Sequence, residues 1–144
     1  MADPVIFEAM THKDLEACFA IRIDVFCGEQ KVSREIEFDG LDDQCRHYLA
    51  TWKNSGIGTA RMRPLGNGEV KLERVAVRSE YRLLGIGSLL MARALADAKE
   101  EGYGTAVLNA QIQAGPFYEK LGFRAEGGEF LEADIPHHRM SKAL

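Results

Sequence analysis

An α/β (α+β) fold in one domain over residues 1–144 follows from three observations. The chain has 144 residues, the usual length of one domain and enough to bury about two-thirds of the surface its unfolded form exposes. Hydrophobic residues make up 46% and charged ones 28%, the balance of an ordinary globular protein. Short strand-like segments between turn formers alternate with helical stretches along the whole chain.

Val5 to Ala9 reads as an opening strand. Thr11, with Asp14 three residues on, resembles a capping box and starts a helix. Leu15, Cys18, Phe19, Ile23 and Phe26 recur along it at three- and four-residue spacing and cover a core. Gly28 to Gln44 is a polar connection with an acidic bias, carrying Glu29, Glu35, Glu37, Asp39, Asp42 and Asp43 against Lys31 and Arg34. His47 to Trp52 and Ile57 to Met62 form a hairpin through Lys53-Asn54-Ser55-Gly56. After the turn Gly66-Asn67-Gly68, the apolar run Val70 to Val77 is a strand covered on both faces and central in the sheet. Ile86 to Glu100, rich in Leu, Met and Ala, is a long helix that Gly102 and Gly104 end. Thr105 to Asn109 is a strand, and Pro116 and Gly122 punctuate a short helix over Phe117 to Leu121. Arg124 to Glu132 and His138 to Lys142 close the chain as strands. No linker, internal repeat or low-complexity tract interrupts this order.

Composition excludes several classes. The longest apolar stretches fall far short of the roughly 20 residues a membrane span needs. Met1 to Ala9 carries Asp3 and Glu8 and no basic start or apolar run, so no secretory leader is expected and the cytoplasm is the default compartment. Cys18, Cys27 and Cys45 are an odd set without a CxxC pair and read as reduced thiols; neither a disulfide framework nor a metal site is expected. A formal charge of −4 disfavours nucleic acid. A small molecule or a peptide is the expected partner.

The informative stretch is the strand Leu72 to Val77, the connection Arg78 to Arg82, the turn Leu83-Leu84-Gly85-Ile86-Gly87-Ser88, and then the long helix. A helix start carries unpaired N–H groups and a partial positive charge, and glycines let an anion approach that backbone closely. Arg82 adds a charge-assisted contact. A dinucleotide turn would need glycine where Leu90 stands, and the Gly-Lys-Ser/Thr of a triphosphate loop is absent. Taken alone, a Gly-x-Gly at a helix start reads equally well as a tight structural turn.

Arg82-Leu83-Leu84-Gly85-Ile86-Gly87 matches an Arg/Gln-x-x-Gly-x-Gly/Ala signature preceded by Val75-Ala76-Val77. Leu108-Asn109-Ala110-Gln111 and Phe117-Tyr118-Glu119-Lys120-Leu121-Gly122-Phe123 follow in order. On these residues the chain resembles the GNAT acetyltransferase superfamily. Val25-Phe26-x-x-Glu29-Gln30 with Glu37-Phe38-Asp39, and Phe130-Leu131-Glu132 with Ile135-Pro136-His137, are similar to its ElaA-like or YjcF-like subgroup. The resemblance implies a central mixed, mostly antiparallel sheet of six to seven strands, splayed at a cofactor slot and flanked by about four helices. It implies transfer of acetyl from acetyl-CoA to a primary amine by direct attack in a ternary complex, with no metal and no cysteine nucleophile. Val75, Ala76, Val77, Asn109 and Tyr118 would then meet the pantetheine arm. Arg82, Leu83, Leu84, Gly85, Ile86, Gly87 and Ser88 would wrap the pyrophosphate. A homodimer is frequent among such folds. The other functional class left open is an acyl-CoA-binding sensor without turnover.

Amine attack on a thioester requires a neutral amine and a proton donor near sulfur. Tyr118 resembles the family's general-acid tyrosine, against a core tyrosine with a satisfied hydroxyl. Glu73, in an apolar strand, is the candidate base, since burial raises a carboxyl pKa. A salt bridge to Arg74 or Arg61 is the equally weighted alternative, and His47 ranks below it. Phe26, Glu29, Gln30 and Gln111 are candidate acceptor contacts. Glu29, Glu35, Glu37 or Asp39 would select a cationic amine, although the acidic connection reads first as a solvated charged loop. Gln30, Gln111 and Gln113 instead offer neutral hydrogen bonds. His137 and His138 read as strand-entry residues.

Overall fold

The computed structural model describes residues 3–144; Met1 and Ala2, where the segment read for a leader begins, lie outside the described residues. The strands are β1 (Val5–Glu8), β2 (Arg46–Trp52), β3 (Ser55–Gly66), β4 (Glu69–Val77), β5 (Thr105–Gln111), β6 (Arg124–Glu132) and β7 (Ile135–Ala143). They form one sheet in the order β1-β2-β3-β4-β5-β7-β6. Every neighbouring pair is antiparallel except β4–β5. The helices are α1 (His12–Arg22), α2 (Arg34–Glu37), α3 (Ile86–Glu100) and α4 (Gly115–Lys120). The mixed, mostly antiparallel sheet and the four helices are those expected. No helix among the described residues is long and apolar enough to cross a membrane.

Side chains alternate between the faces of a strand, so neighbours in β2 belong to different cores. Leu49 packs with Cys18, Ile21 and Val25 beneath α1 and the segment after it. Tyr48 and Ala50 pack with Leu90, Met91 and Ala94 of α3. α3 sits close enough that a Cβ on Gly58 would lie 3.1 Å from Ile86 Cγ2 and from Leu90 Cδ1. Gly58→Val should therefore overpack this contact and destabilise the fold by about 1–3 kcal/mol, read as a lowered melting temperature.

The strands run further than local sequence indicated because their turns are shorter. Lys53-Asn54 (φ 50 and 64), Asn67-Gly68 (φ 53 and 77) and Ala133-Asp134 (φ 51 and 60) are two-residue turns with both φ positive. That geometry matches strand twist and lets pairing reach the turn itself, as at Trp52↔Ser55 and Glu132↔Ile135.

Two departures shape the site. The helix expected to continue through Phe26 ends as an α-helix at Arg22, and Ile23–Glu29 widens into a π-helix. Gln30 N–H donates to Val25 C=O, five residues back, at 3.1 Å. α2 falls in the segment read as an irregular connection, where the Ser33 hydroxyl accepts from Ile36 N–H at 3.3 Å.

Candidate active site

β4 carries a bulge. Thr59 pairs with Ala76 and Arg61 with Glu73, so Arg74 and Val75 both face Ala60, and Arg74 takes φ 55 to fit. On its other edge β4 pairs with β5 only at Glu69↔Thr105, Val70↔Ala106 and Lys71↔Val107. Beyond these three pairs the strands part, leaving a slot between Leu72–Val77 and Leu108–Gln111. Val75 and Asn109 line it, with Tyr118 from α4. Ala76 does not: its side chain is buried in the core beneath α1.

At the end of β4 a tight turn over Ser79–Tyr81 leads to Arg82. Leu83 (φ 65) and Gly85 (φ 80) then swing the chain into α3. No side chain caps this helix, and its first bond runs from Leu89 N–H to Gly85 C=O at 3.1 Å. The amides of Ile86, Gly87 and Ser88 precede that bond and lack intrahelical acceptors, the arrangement that receives an anion. Gly87 serves packing as well, since a Cβ there would meet Phe117 Cζ at 3.2 Å. Arg82 stands at the turn but is engaged: Nε donates to Val77 C=O at 2.9 Å, and Nη2 to both Glu29 oxygens at 2.8 and 2.9 Å.

A cavity of about 660 Å³ continues from the slot, with Phe26 and Gln30 on one wall and Gln111 on another. Gln111 Nε2 donates to Gln30 Oε1 at 2.8 Å, and Gln113 Nε2 to Gln111 Oε1 at 2.7 Å. The structure thus joins three glutamines that the sequence scatters. Glu29 is drawn away to Arg82, and Asn109 Nδ2 donates to Glu132 Oε1 at 3.1 Å.

The acidic connection is divided: Glu29, Glu35 and Asp43 are exposed, as a solvated loop would have them, while Glu37, Asp39 and Asp42 are engaged by arginines. Arg22, fully buried at the end of α1, donates to Glu37 Oε2 at 2.8 Å and to Asp42 Oδ1 at 2.7 Å. Arg61, equally buried, donates to Asp39 Oδ2 at 2.9 Å and Asp42 Oδ1 at 3.0 Å and pairs with Glu73. Arg74 reaches Glu37 Oε2 at 3.1 Å and Asp39 Oδ2 at 3.4 Å. Burial pushes the Glu37 carboxyl up, ahead of the opposing pull of Arg74 and Arg22.

Glu73 corrects the expectation of a carboxyl raised by desolvation. Burial does push it upward, but Arg63 and Arg61 donate to it, and Arg61 and Lys71 add charge, so its pKa is held down to about 2. Arg63 binds both of its oxygens, at 3.2 and 2.9 Å, and Lys71 Nζ lies 3.3 Å away. The salt-bridge alternative holds, with Arg61 rather than Arg74 as the partner. A carboxylate so stabilised is a weak base. Arg63 and Lys71, both lining the cavity, escaped the sequence reading. The signal was alternation, since Arg61 and Arg63 in β3 and Lys71 and Glu73 in β4 share one face.

Burial alone, with no charge or hydrogen-bond partner, pushes the Tyr118 phenol above its ordinary value, so it stays protonated at neutral pH. The expected alternative, a hydroxyl satisfied within the core, is not what the geometry shows. His47 is structural: its Nε2 contacts Asp42 C=O at 2.9 Å, its ring meets Phe19 edge-on, and burial lowers its pKa. His137, buried in β7 with Nδ1 2.6 Å from Ile135 C=O and its ring stacked on Phe130, lines the cavity. Its place in the wall was not legible in sequence. All three cysteines are free, and burial raises each, Cys18 to about 11, which keeps the thiols protonated.

Three relatives are similar to this chain, one in sequence and two in solved structure as well. The uncharacterized N-acetyltransferase YjcF of Bacillus subtilis is 37% identical over 135 residues, covering 93% of this chain and 96% of that protein. The crystal structure of an acyl-CoA N-acyltransferase from Pseudomonas aeruginosa is 32% identical with a TM-score of 0.85, covering 98% of this chain and 99% of that one. The crystal structure of Escherichia coli ElaA is 25% identical with a TM-score of 0.85, covering 99% of each chain. The family model of the acetyltransferase (GNAT) domain matches residues 10–144. By that match, and by the YjcF identity over nearly its whole length, the chain belongs to the GNAT acetyltransferase family.

Proposed function

We propose that residues 1–144 act as one acetyl-CoA-dependent N-acetyltransferase domain, moving an acetyl group to a primary amine of a small molecule or peptide by direct attack in a ternary complex. The observation that carries this reading is the parting of β4 and β5 after three pairs, immediately before an uncapped helix start at Gly85. An extended arm can pair with the backbone of Val75 and Asn109 in the slot, and a pyrophosphate with the amides of Leu84 to Ser88, while the Val77 carbonyl is held by Arg82. Arg82 would exchange Glu29 for the incoming anion. The P. aeruginosa relative, an acyl-CoA N-acyltransferase, supports the same co-substrate class.

Acetyl-CoA supplies a thioester whose carbonyl carbon is the electrophile. The Val75 amide, turned by the bulge, is the donor suited to the carbonyl oxygen. The Tyr118 hydroxyl gives its proton to the leaving thiolate as the carbon–sulfur bond breaks and the carbon–nitrogen bond forms. Glu73 holds Arg63 and Lys71 in place, and the amine loses its proton to water in the cavity. Release of free CoA from acetyl-CoA in the presence of a panel of amines tests this. Amine-dependent release is expected; acetyl-CoA binding without release by any amine would favour the sensor. Glu73→Gln should lower kcat by less than about tenfold, whereas a general base would cost about 10²–10⁴-fold.

A further inference from the structure

The charged network around Arg61 holds one more cation than carboxylate, and of its members Arg63, Lys71, Arg74, Glu37, Asp39 and Glu73 line the cavity. Arg22, Arg61, Arg63, Lys71 and Arg74 are five cations bonded among four carboxylates, Glu37, Asp39, Asp42 and Glu73. The chain as a whole carries a formal charge of −4, so this surplus is local and runs against the global charge. The groups also differ in orientation. The side chains of Glu37 and Glu73 are only 4% and 7% exposed, while Arg63, Lys71 and Arg74 are 22%, 19% and 19% exposed. Arg63, Lys71 and Arg74 thus present more of their side chains to the cavity than the Glu37 and Glu73 carboxylates behind them. Asp39, the most exposed acid of the cluster, accepts from both Nη atoms of Arg61 and from Leu41 N–H.

Unused donors point the same way. Arg63 spends Nε and Nη2 on Glu73, and its Nη1 has no acceptor among the described residues. Lys71 makes a single ion pair, at 3.3 Å, leaving donors of its ammonium for a ligand. A guanidinium edge beside an ammonium, half sheltered from water, suits a compact oxyanion. The remaining charged groups of the wall are Glu132, held by Asn109, and Arg82, held by Glu29, with His137 beside Glu132.

Resting on the acetyl-transfer reading above, we infer that the acceptor is a small amine carrying an oxyanion, a carboxylate or a phosphate ester, which Arg63 and Lys71 bind while the amine faces the slot. This is the opposite charge class from the polyamine or aminoglycoside that the acidic connection would suit.

The test is calorimetric titration of the CoA-saturated full chain with four probes of similar size: γ-aminobutyrate, phosphoethanolamine, aminobutanol and putrescine. At least one of the two oxyanion probes should bind ten or more times as tightly as the alcohol and the diamine. Whichever oxyanion binds better identifies its source. Lys71→Gln should weaken that binding at least tenfold and Lys71→Arg should restore it; if Lys71→Gln fails to fold, Arg63→Gln carries the same expectation. Putrescine binding most tightly, or CoA binding with no oxyanion probe bound, overturns the inference and leaves acetyl transfer standing. Failure of the wild type to bind CoA overturns acetyl transfer itself, and this inference with it.

Discussion

Tyr118→Phe is expected to lower kcat by about 10²–10⁴-fold, the usual contribution of a positioned proton donor, with acetyl-CoA affinity changed by less than about threefold. The change removes one hydroxyl and leaves the ring, which packs edge-on against Phe117 at 4.9 Å and Phe123 at 6.0 Å between centroids. The slot wall therefore stays in place. The phenol has no internal partner to lose, because burial alone perturbs it. An unchanged kcat would remove Tyr118 from the chemistry, and a tenfold loss of cofactor affinity would make it a binding residue. Steady-state release of CoA, together with titration of the variant, separates the three.

Arg61→Met should be the most destabilising single change in the molecule, at about 3–5 kcal/mol, because it withdraws a buried cation from three carboxylates at once. Asp42 and Glu73 would each lose a partner with little water to replace it, while the more exposed Asp39 would be partly rehydrated. The urea midpoint should fall by about 2 M for a chain of this size. The same cluster sets a pH dependence. Hydrogen bonding to Arg61 holds Asp39 well below the usual carboxylate range; burial opposes the lowering of Asp42 and Glu73, but their arginines outweigh it. Groups depressed by folding contribute stability that is present above their unfolded pKa of about 4 and disappears as the pH falls through the folded value. For Glu73 that value is about 2. The wild-type urea midpoint should therefore decline between about pH 4.5 and 2, and Arg61→Met should flatten the decline. Glu37, pushed up by burial, acts with the opposite sign in a window above its unfolded pKa, outside this decline.

Local signals were read well where a single element held all the information. α3 has the bounds Ile86–Glu100 that its composition indicated, because Gly85 and Gly102 take left-handed backbone at either end. β4 was placed centrally by its apolar run, and it is the fourth of seven strands. The slot itself was not local information. It depends on β4 and β5 pairing at three positions and then diverging, and only the family resemblance anticipated it. The π-helical turn was missed because a widened turn over Ile23–Glu29 keeps apolar residues at nearly helical spacing.

The charge network was misread for a related reason. Over residues 28–44 the acids outnumber the bases, which suggests a solvated loop when the window is viewed alone. Their partners Arg22, Arg61 and Arg74 come from α1, β3 and the bulge of β4, up to 37 residues away in sequence. Electrostatic character in a folded chain is set by such distant pairs. The guanidiniums neutralise the acids that the connection brings to the cavity wall.

Titration of the purified protein with acetyl-CoA, wild type beside Gly85→Glu, tests the central claim most directly. Gly85 has φ 80, and a Cβ there would have nothing within 4 Å, so a side chain meets backbone strain but no clash. A carboxylate at a helix start also favours the helix dipole, so the variant should fold while repelling a pyrophosphate. Micromolar binding by the wild type, weakened at least a hundredfold in a variant of unchanged circular dichroism, is the predicted result. Wild-type protein that does not bind acetyl-CoA, or a variant that binds it equally well, would contradict the assignment of this turn and slot to the cofactor.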